Sequence, residues 1–267
     1  MKEVLIRSTY DNTLQPSLMY SVDNNRPRPL LVGLHSWSCD RTNQIENLLP
    51  ITKRNEWHLV LPEFRGPNLK TNSNARYACG SIAAKQDILD AVDYMKKNYL
   101  VDSDNILLIG GSGGGHMALL AAGYAPKLWK AVCSYCPLTD VKRWYEELYK
   151  VYIETGGSES YVKGIEACCG GAPNDNNIQE YLYRSPISYI NEIAQANIKI
   201  FHGRFDMSIS YFHSMDLYCE LSRKFPQARV FLDIFDGPHE MYPEVAEKWF
   251  LHQMKVNDYD TRVMISK

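Results

Sequence analysis

The sequence has no apolar run approaching the ~18 residues that a membrane span needs. Its longest, around Ile106 to Ile109, is of strand length. There is no excess of charge of either sign: 29 Lys and Arg stand against 31 Asp and Glu in 267 residues, a formal charge of −2. Nothing in that balance calls for a nucleic acid or another polyanion as partner. Met1-Lys2-Glu3-Val4-Leu5-Ile6-Arg7 is charged at once and lacks the apolar stretch of a secretory leader, so the expectation is a cytoplasmic protein with no membrane partner. No repeat, low-complexity tract or linker divides the chain. The 7 cysteines are an odd number, and Cys168-Cys169 are adjacent, which is poor geometry for two separate bridges; reduced thiols are expected. Cys133-Ser134-Tyr135-Cys136 lacks the second C-x-x-C pair of a zinc site, and Cys133 falls in an apolar strand, so these thiols read as packing and no metal or other cofactor is expected. What remains is an ordinary globular mixture, 45% apolar and 22% charged, able to bury a sizeable core.

Apolar runs of strand length recur with helical stretches between them: Leu30 to His35, His58 to Pro62, Asn105 to Gly110, Ala131 to Tyr135, Ile198 to His202, and Val230 to Phe235. The alternation predicts an α/β fold, one domain over 1–267 with a mostly parallel central sheet and helices on both faces. Leu, Ile and Val stand on consecutive rather than alternate positions, as in strands buried on both faces. Val4 to Ser8 and Leu18 to Val22 flank the turn-forming Tyr10-Asp11-Asn12 and are predicted to open the sheet as an antiparallel hairpin. Ile82, Ile88, Leu89, Val92, Met95 and Tyr99 predict a helix from Ser81 to Asn98, with Lys96-Lys97 at its C-terminal end. A shorter helix follows Ser112 with Met117, Leu119 and Leu120, and another runs from Pro243 to Val256 with Val245, Trp249 and Phe250 inward. Some sixty residues separate Tyr135 from Ile198, more than one crossover needs, so 138–184 reads as a helical insertion after the sixth strand.

Gly110-Gly111-Ser112-Gly113-Gly114 follows a predicted strand and opens a predicted helix, the context of a G-x-S-x-G nucleophile elbow. Such a turn forces the serine into strained backbone angles, and neighbours without Cβ atoms let the chain pass close on both sides. The hydroxyl then stands above the sheet, while the Gly113 amide lies at a helix N-terminus, free to hold a developing oxyanion. Glycine-rich turns also bind phosphates, but the P-loop version needs a Lys before its Ser or Thr, which is missing here.

A serine hydroxyl is a weak nucleophile at its free pKa; it needs a base, and the base needs a third group to fix its tautomer. Seven histidines compete: His35, His58, His116, His202, His213, His239 and His252. The elbow resembles that of the α/β-hydrolases, whose triad runs Ser, Asp or Glu, His along the chain. In that order His239 fits best, in the polar turn Asp236-Gly237-Pro238-His239-Glu240 directly after a strand. His252 falls on a helix surface, His116 packs or caps one turn past the elbow, and His213 is early in a helix with no turn signal beside it. For the acid, His202-Gly203-Arg204-Phe205-Asp206 follows Ile198 to Phe201 and puts Asp206 at a strand's C-terminal end. The rival is Asp140, after the strand ending at Tyr135, because some hydrolases take their carboxylate from that strand. Asp233 falls within its strand, and Asp236 lies so close to His239 that it shapes the turn. The second oxyanion donor comes from the loop after the third strand, where His35-Ser36-Trp37-Ser38 offers the Trp37 amide and Ser36 replaces the usual glycine.

More closely, the chain resembles the catalytic domain of the prolyl oligopeptidase family. Besides the elbow, the resemblance rests on His35-Ser36-Trp37 for the family's His-Gly-Gly, Pro62-Glu63-Phe64-Arg65-Gly66 for its Arg-Gly loop, Ser185-Pro186 before a helix, His202 to Asp206, and Gly237-Pro238-His239-Glu240. The order and spacing of these segments, from Leu30 to Trp249, are specific only together. The resemblance implies an α/β-hydrolase fold, a triad of Ser112, Asp206 and His239, and oxyanion donors at Trp37 and Gly113, with Arg65 shaping its loop. The family's oligopeptidases carry a large N-terminal propeller, and fewer than thirty residues precede Leu30. A catalytic domain of this size more resembles the family's carboxylesterases, including those acting on acylated sugars or phenolic esters. The expected activity is hydrolysis of a small-molecule ester through an acyl-enzyme. Behind it stand a small peptidase or amidase using the same triad, and a catalytically silent hydrolase-fold module that binds a ligand or partner. Trp144, Tyr145, Tyr149, Tyr152, Tyr161, Tyr181 and Tyr183 in the insertion offer rings for a lid over the substrate, or equally for the insertion's own core or a homo-oligomer contact.

Overall fold

A computed structural model describes residues 1–23 and 25–256. Among them the strands are β1 (Lys2–Arg7), β2 (Leu14–Tyr20), β3 (Arg28–Leu34), β4 (His58–Pro62), β5 (Val101–Gly111), β6 (Ala131–Tyr135), β7 (Ile198–Gly203) and β8 (Val230–Phe235). They form one sheet in the order β1-β2-β4-β3-β5-β6-β7-β8. The β1/β2 and β2/β4 pairs are antiparallel and the others parallel. The helices are α1 (Ile45–Asn55), α2 (Ile82–Asn98), α3 (Gly113–Tyr124), α4 (Val141–Thr155), α5 (Glu159–Cys169), α6 (Ile178–Tyr183), α7 (Ile190–Ile193), α8 (Phe212–Lys224) and α9 (Pro243–Lys255).

The consecutive apolar positions of the central strands divide between two cores because successive side chains point to opposite faces. Leu30, Val32, Leu34, Ile106 and Leu108 meet Ile88 and Val92 of α2, Met117 and Leu120 of α3, and Leu217 and Leu221 of α8. Leu31, Leu59, Leu61, Leu107 and Ile109 meet Leu48 and Ile51 of α1 and Ala246 and Phe250 of α9. Each such fully buried Leu, Ile or Val contributes about 1.5–3 kcal/mol. Between β6 and β7, α4, α5 and α6 share a third core of Trp144, Tyr145, Val162, Ile165, Cys168 and Tyr181, with Trp37 packed into it.

Three details differ from the sequence reading. The hairpin lies nearer the N-terminus, over Lys2–Arg7 and Leu14–Tyr20. Ser8 leaves the ladder because its hydroxyl donates to Asp87 (2.5 Å), and the Ser8 amide closes the turn on Thr13 O (2.8 Å). β5 begins at Val101, through polar positions that carry no apolar signal. In α9, Val245 is exposed and Ala246 faces inward instead, since the neighbouring Glu247 is held by Arg54 and Asn55 of α1. All seven cysteines are free thiols. Among the described residues no helix is long and apolar enough to cross a membrane.

Candidate active site

β5 ends at Gly111 and α3 begins at Gly113, so Ser112 alone makes the turn, at φ 58° and ψ −122°. That is strained ground for a residue with a side chain, held here by its surroundings. The Ser112 amide donates to Tyr135 O (2.8 Å), and the Ser112 carbonyl accepts from the His116 amide (3.0 Å). A Cβ on Gly110 would stand 2.3 Å from Gly114 O, and one on Gly114 would stand 2.3 Å from Leu34 O, so both motif glycines are steric necessities. The hydroxyl makes no cap to its own helix.

The loops after β7 and β8 are joined by hydrogen bonds from the Arg204 amide to Phe235 O (2.8 Å) and from the Phe205 amide to Gly237 O (3.0 Å). This brings His239 Nδ1 to 2.6 Å from Asp206 Oδ2. The Asp206 side chain is fully buried and that of His239 is 26% exposed. Burial pushes the Asp206 carboxyl up, but hydrogen bonds from His202, His239 and the Ile209 amide outweigh it and hold it well below the usual carboxylate range. An ionised carboxylate accepts, so Nδ1 of His239 carries the proton and Nε2 is left as the basic nitrogen. The other carboxylate oxygen accepts from the amides of Ser208 (2.8 Å) and Ile209 (2.9 Å).

Two of this shell's members have no assigned role in the sequence. His202 Nε2 lies 3.1 Å from Asp206 Oδ2 and 2.9 Å from Ile209 O, while its Nδ1 meets Ser214 Oγ at 2.7 Å. Its signal was the four-residue spacing to Asp206. Cys136, at the end of β6 with φ 45°, brings its sulfur within 4.8 Å of the nearest Asp206 and His239 ligand atoms. Burial pushes that thiol up to about 12, so it is protonated at neutral pH, and its sulfur donates to Glu240 O (3.6 Å).

Ser112 and His239 share the walls of two cavities. One, of about 170 Å³, is lined also by Asn43, Gln44 and Asn47. The other, of about 510 Å³, runs under Trp144, Leu148, Val151 and Tyr161 of the helices between β6 and β7. Trp37 sits beside the elbow: a Cβ on Gly113 would stand only 2.5 Å from the Trp37 amide nitrogen. Its loop is held by Asn68, whose amide donates to Trp37 O (2.9 Å), and by His35, which stacks on Phe64 (4.0 Å) with Nε2 2.8 Å from Glu63 O. Arg65 pairs with Asp87 (2.5 Å) and Asp11 (2.7 Å) away from both cavities.

The competing residues are engaged elsewhere. Asp140 caps α4, accepting from the Arg143 amide (3.0 Å). Asp233 pairs with Lys199 (3.3 Å) and Asp236 with Arg204 (3.1 Å). His116 is fully buried with Nε2 2.5 Å from Arg184 O, His213 meets Glu147 (3.3 Å), His58 accepts from the Val22 amide (3.2 Å), and His252 is exposed on α9. The insertion's rings divide: Tyr145 and Tyr181 are core, Trp144 is core and lines the larger cavity, and the exposed Tyr161 lines that cavity alone.

Sheet order, strand-to-helix elbow and the loops that meet above it define an α/β-hydrolase. The sequence pattern of the prolyl oligopeptidase family matches residues 83–255, more than half of the chain, and the chain belongs to that family of serine hydrolases. It is 22% identical over 190 residues to acylamino-acid-releasing enzyme 1 of Oryza sativa subsp. japonica, covering 67% of this chain and 23% of that protein. The chain thus spans about a quarter of that relative's length. In fold it resembles a puromycin-hydrolysing peptidase of Mycobacterium tuberculosis, with a TM-score of 0.71 at 14% identity over 93% of this chain and 37% of the other. It also resembles the S-formylglutathione hydrolase of Staphylococcus aureus, with a TM-score of 0.67 at 13% identity over 95% of this chain and 98% of the other.

Proposed function

We propose that the protein hydrolyses carboxylic esters through an acyl-enzyme. Ser112 Oγ attacks the ester carbonyl as His239 Nε2 takes its proton, and Asp206 stabilises the imidazolium that forms. The amides of Gly113 and Trp37 hold the oxyanion; one such donor is worth about 10²–10³ in rate. His239 returns the proton to the departing alkoxide, then activates a water that releases the acid. The observation that carries this reading is the 2.6 Å contact between Asp206 and the imidazole that borders the same two cavities as Ser112.

Ester over amide is supported by the larger cavity, whose walls hold apolar Trp144, Leu148, Val151 and Tyr161 and, among the described residues, no lysine or arginine to grip a peptide carboxylate. The smaller cavity, with its amide side chains, suits a short polar group such as acetyl or part of a sugar. A peptidase would use the same residues, and the names of the rice and mycobacterial proteins favour it. A panel of chromogenic esters of graded acyl length, with acetylated sugars and feruloyl esters, run against an aminoacyl anilide, separates the two. Esters are expected to turn over faster, and Ser112→Ala is expected to lower turnover by about 10⁶ while keeping the fold. Turnover that survives in Ser112→Ala sinks the proposal, and a faster anilide makes the protein a peptidase.

A further inference from the structure

Lys85 breaks two rules of the fold. It stands at the end of the first turn of α2, where unpaired amides leave a partial positive charge that favours an acidic neighbour, and that turn contains no acidic residue. It is also only 4% exposed, and among the described residues its ammonium forms no hydrogen bond or ion pair, although the nitrogen itself is not closed off from solvent. Its Nζ lies instead 5.0 Å and 5.6 Å from the ring centroids of Tyr189 and Tyr124. Burial, with the charge of Arg184 adding to it, pulls the ammonium down to about 8, which still leaves it mainly protonated at neutral pH. A buried cation without a counter-charge is costly, and local rules are most often broken where a site needs them broken.

Lys85 lines a cavity of about 350 Å³ with Arg76, Arg184, Tyr77 and Tyr183. Three cations there face one carboxylate, Glu180, which is already shared by Arg184 (3.0 Å) and Arg76 (3.8 Å). Among the described residues Arg184 Nε is buried with no partner, while its Nη atoms donate to Ala78 O (2.6 Å), Cys79 O (3.1 Å) and Arg76 O (3.0 Å). Ser81 caps the Ala84 amide, and Ile82 and Ala83 line the cavity wall beside it. Tyr77 and Tyr183 are half exposed at the rim. No residue of this wall borders the cavities at Ser112.

We propose that this cavity binds the oxyanion head of a small organic phosphate or carboxylate, with its ring or chain against Tyr77 and Tyr183. The anion supplies the counter-charge that Lys85 lacks, and the amides at the start of α2 add the donors that helix N-termini offer to phosphates.

Calorimetric titration with inorganic phosphate, phenyl phosphate and benzoate, at fixed ionic strength with chloride as the control anion, tests this. Saturable one-site binding is expected for the native protein and Ser112→Ala alike, weakened at least tenfold in Lys85→Met. That substitution keeps most of the stem's volume and removes an unpaired charge, so the fold is expected to stand. Arg76→Gln, at an exposed residue, is expected to weaken binding several-fold and serves if Lys85→Met does not fold. Tighter phenyl phosphate names a phosphate ligand and tighter benzoate a carboxylate. Equal binding by the native protein and the folded variants, or no binding beyond chloride, overturns the site.

Discussion

Gly113 matters through an atom it lacks. A Cβ there would stand 2.5 Å from the Trp37 amide nitrogen and 2.6 Å from Trp37 Cα, and backbone atoms cannot rotate aside. Gly113→Ala is expected to push the loop after β3 away from α3, lowering kcat on esters by about 10²–10³. The overpacking adds about 1–3 kcal/mol of destabilisation. Steady-state kinetics beside urea unfolding checks both effects; an unchanged kcat in the folded variant contradicts the oxyanion cradle. Asp206 carries a second prediction. His202, His239 and the Ile209 amide depress its carboxyl in spite of burial. A folded-state pKa below the unfolded value of about 4 stabilises the fold at every pH above that value, and the contribution is lost as pH falls through the folded value. The difference in urea midpoint between the native protein and Asp206→Asn is expected to persist at pH 5 and to narrow progressively as pH falls below about 4. A difference that closes between pH 7 and 5 is incompatible with a depressed carboxyl.

At the scale of elements, the segment between β6 and β7 decides which aspartate is free to meet His239. Asp140 ends β6's loop with its carboxylate turned to the first amides of α4, an N-cap rather than an acid partner. Asp140→Ala is expected to cost about 1 kcal/mol of stability and to leave kcat on esters near the native value. A collapse of turnover in a folded Asp140→Ala would transfer the acid's role to that strand. The parallel strands were legible because burial on both faces writes continuous apolar runs. The hairpin was displaced because β1 and β2 show only part of that signal, with Leu5 and Leu14 exposed and polar residues between. Val245 misled for a related reason. Helical periodicity gives a face but leaves its centre uncertain by one residue, and the Arg54–Glu247 pair set the rotation of α9.

Across the whole molecule, Arg65 joins three parts of the chain: the turn after β1 through Ser8 and Asp11, helix α2 through Asp87, and its own loop. Asp87 is 4% exposed, so removing its partner strands a buried carboxylate. Arg65→Ala is expected to destabilise the fold by about 3–5 kcal/mol while leaving Asp206 and His239 in contact. Urea denaturation gives the loss, and labelling of Ser112 by a fluorophosphonate well below the melting temperature reports on whether the proposed site survives. A loss under about 1 kcal/mol would mean that Asp87 finds another donor or water.

The elbow was readable from sequence because its requirement is local: one serine at positive φ and neighbours too close to the chain to carry Cβ atoms. The layered α/β architecture was readable for the same kind of reason, since burial on both faces leaves its mark residue by residue. The tertiary structure alone decided that Asp206 rather than Asp140 meets His239 across 33 residues, that His202 and Cys136 close around that carboxylate, and that Lys85 lies buried with no counter-charge among the described residues. Those contacts depend on which strand ends stand side by side. Sheet order sets that, and it is a property of the whole chain's packing that no short stretch encodes.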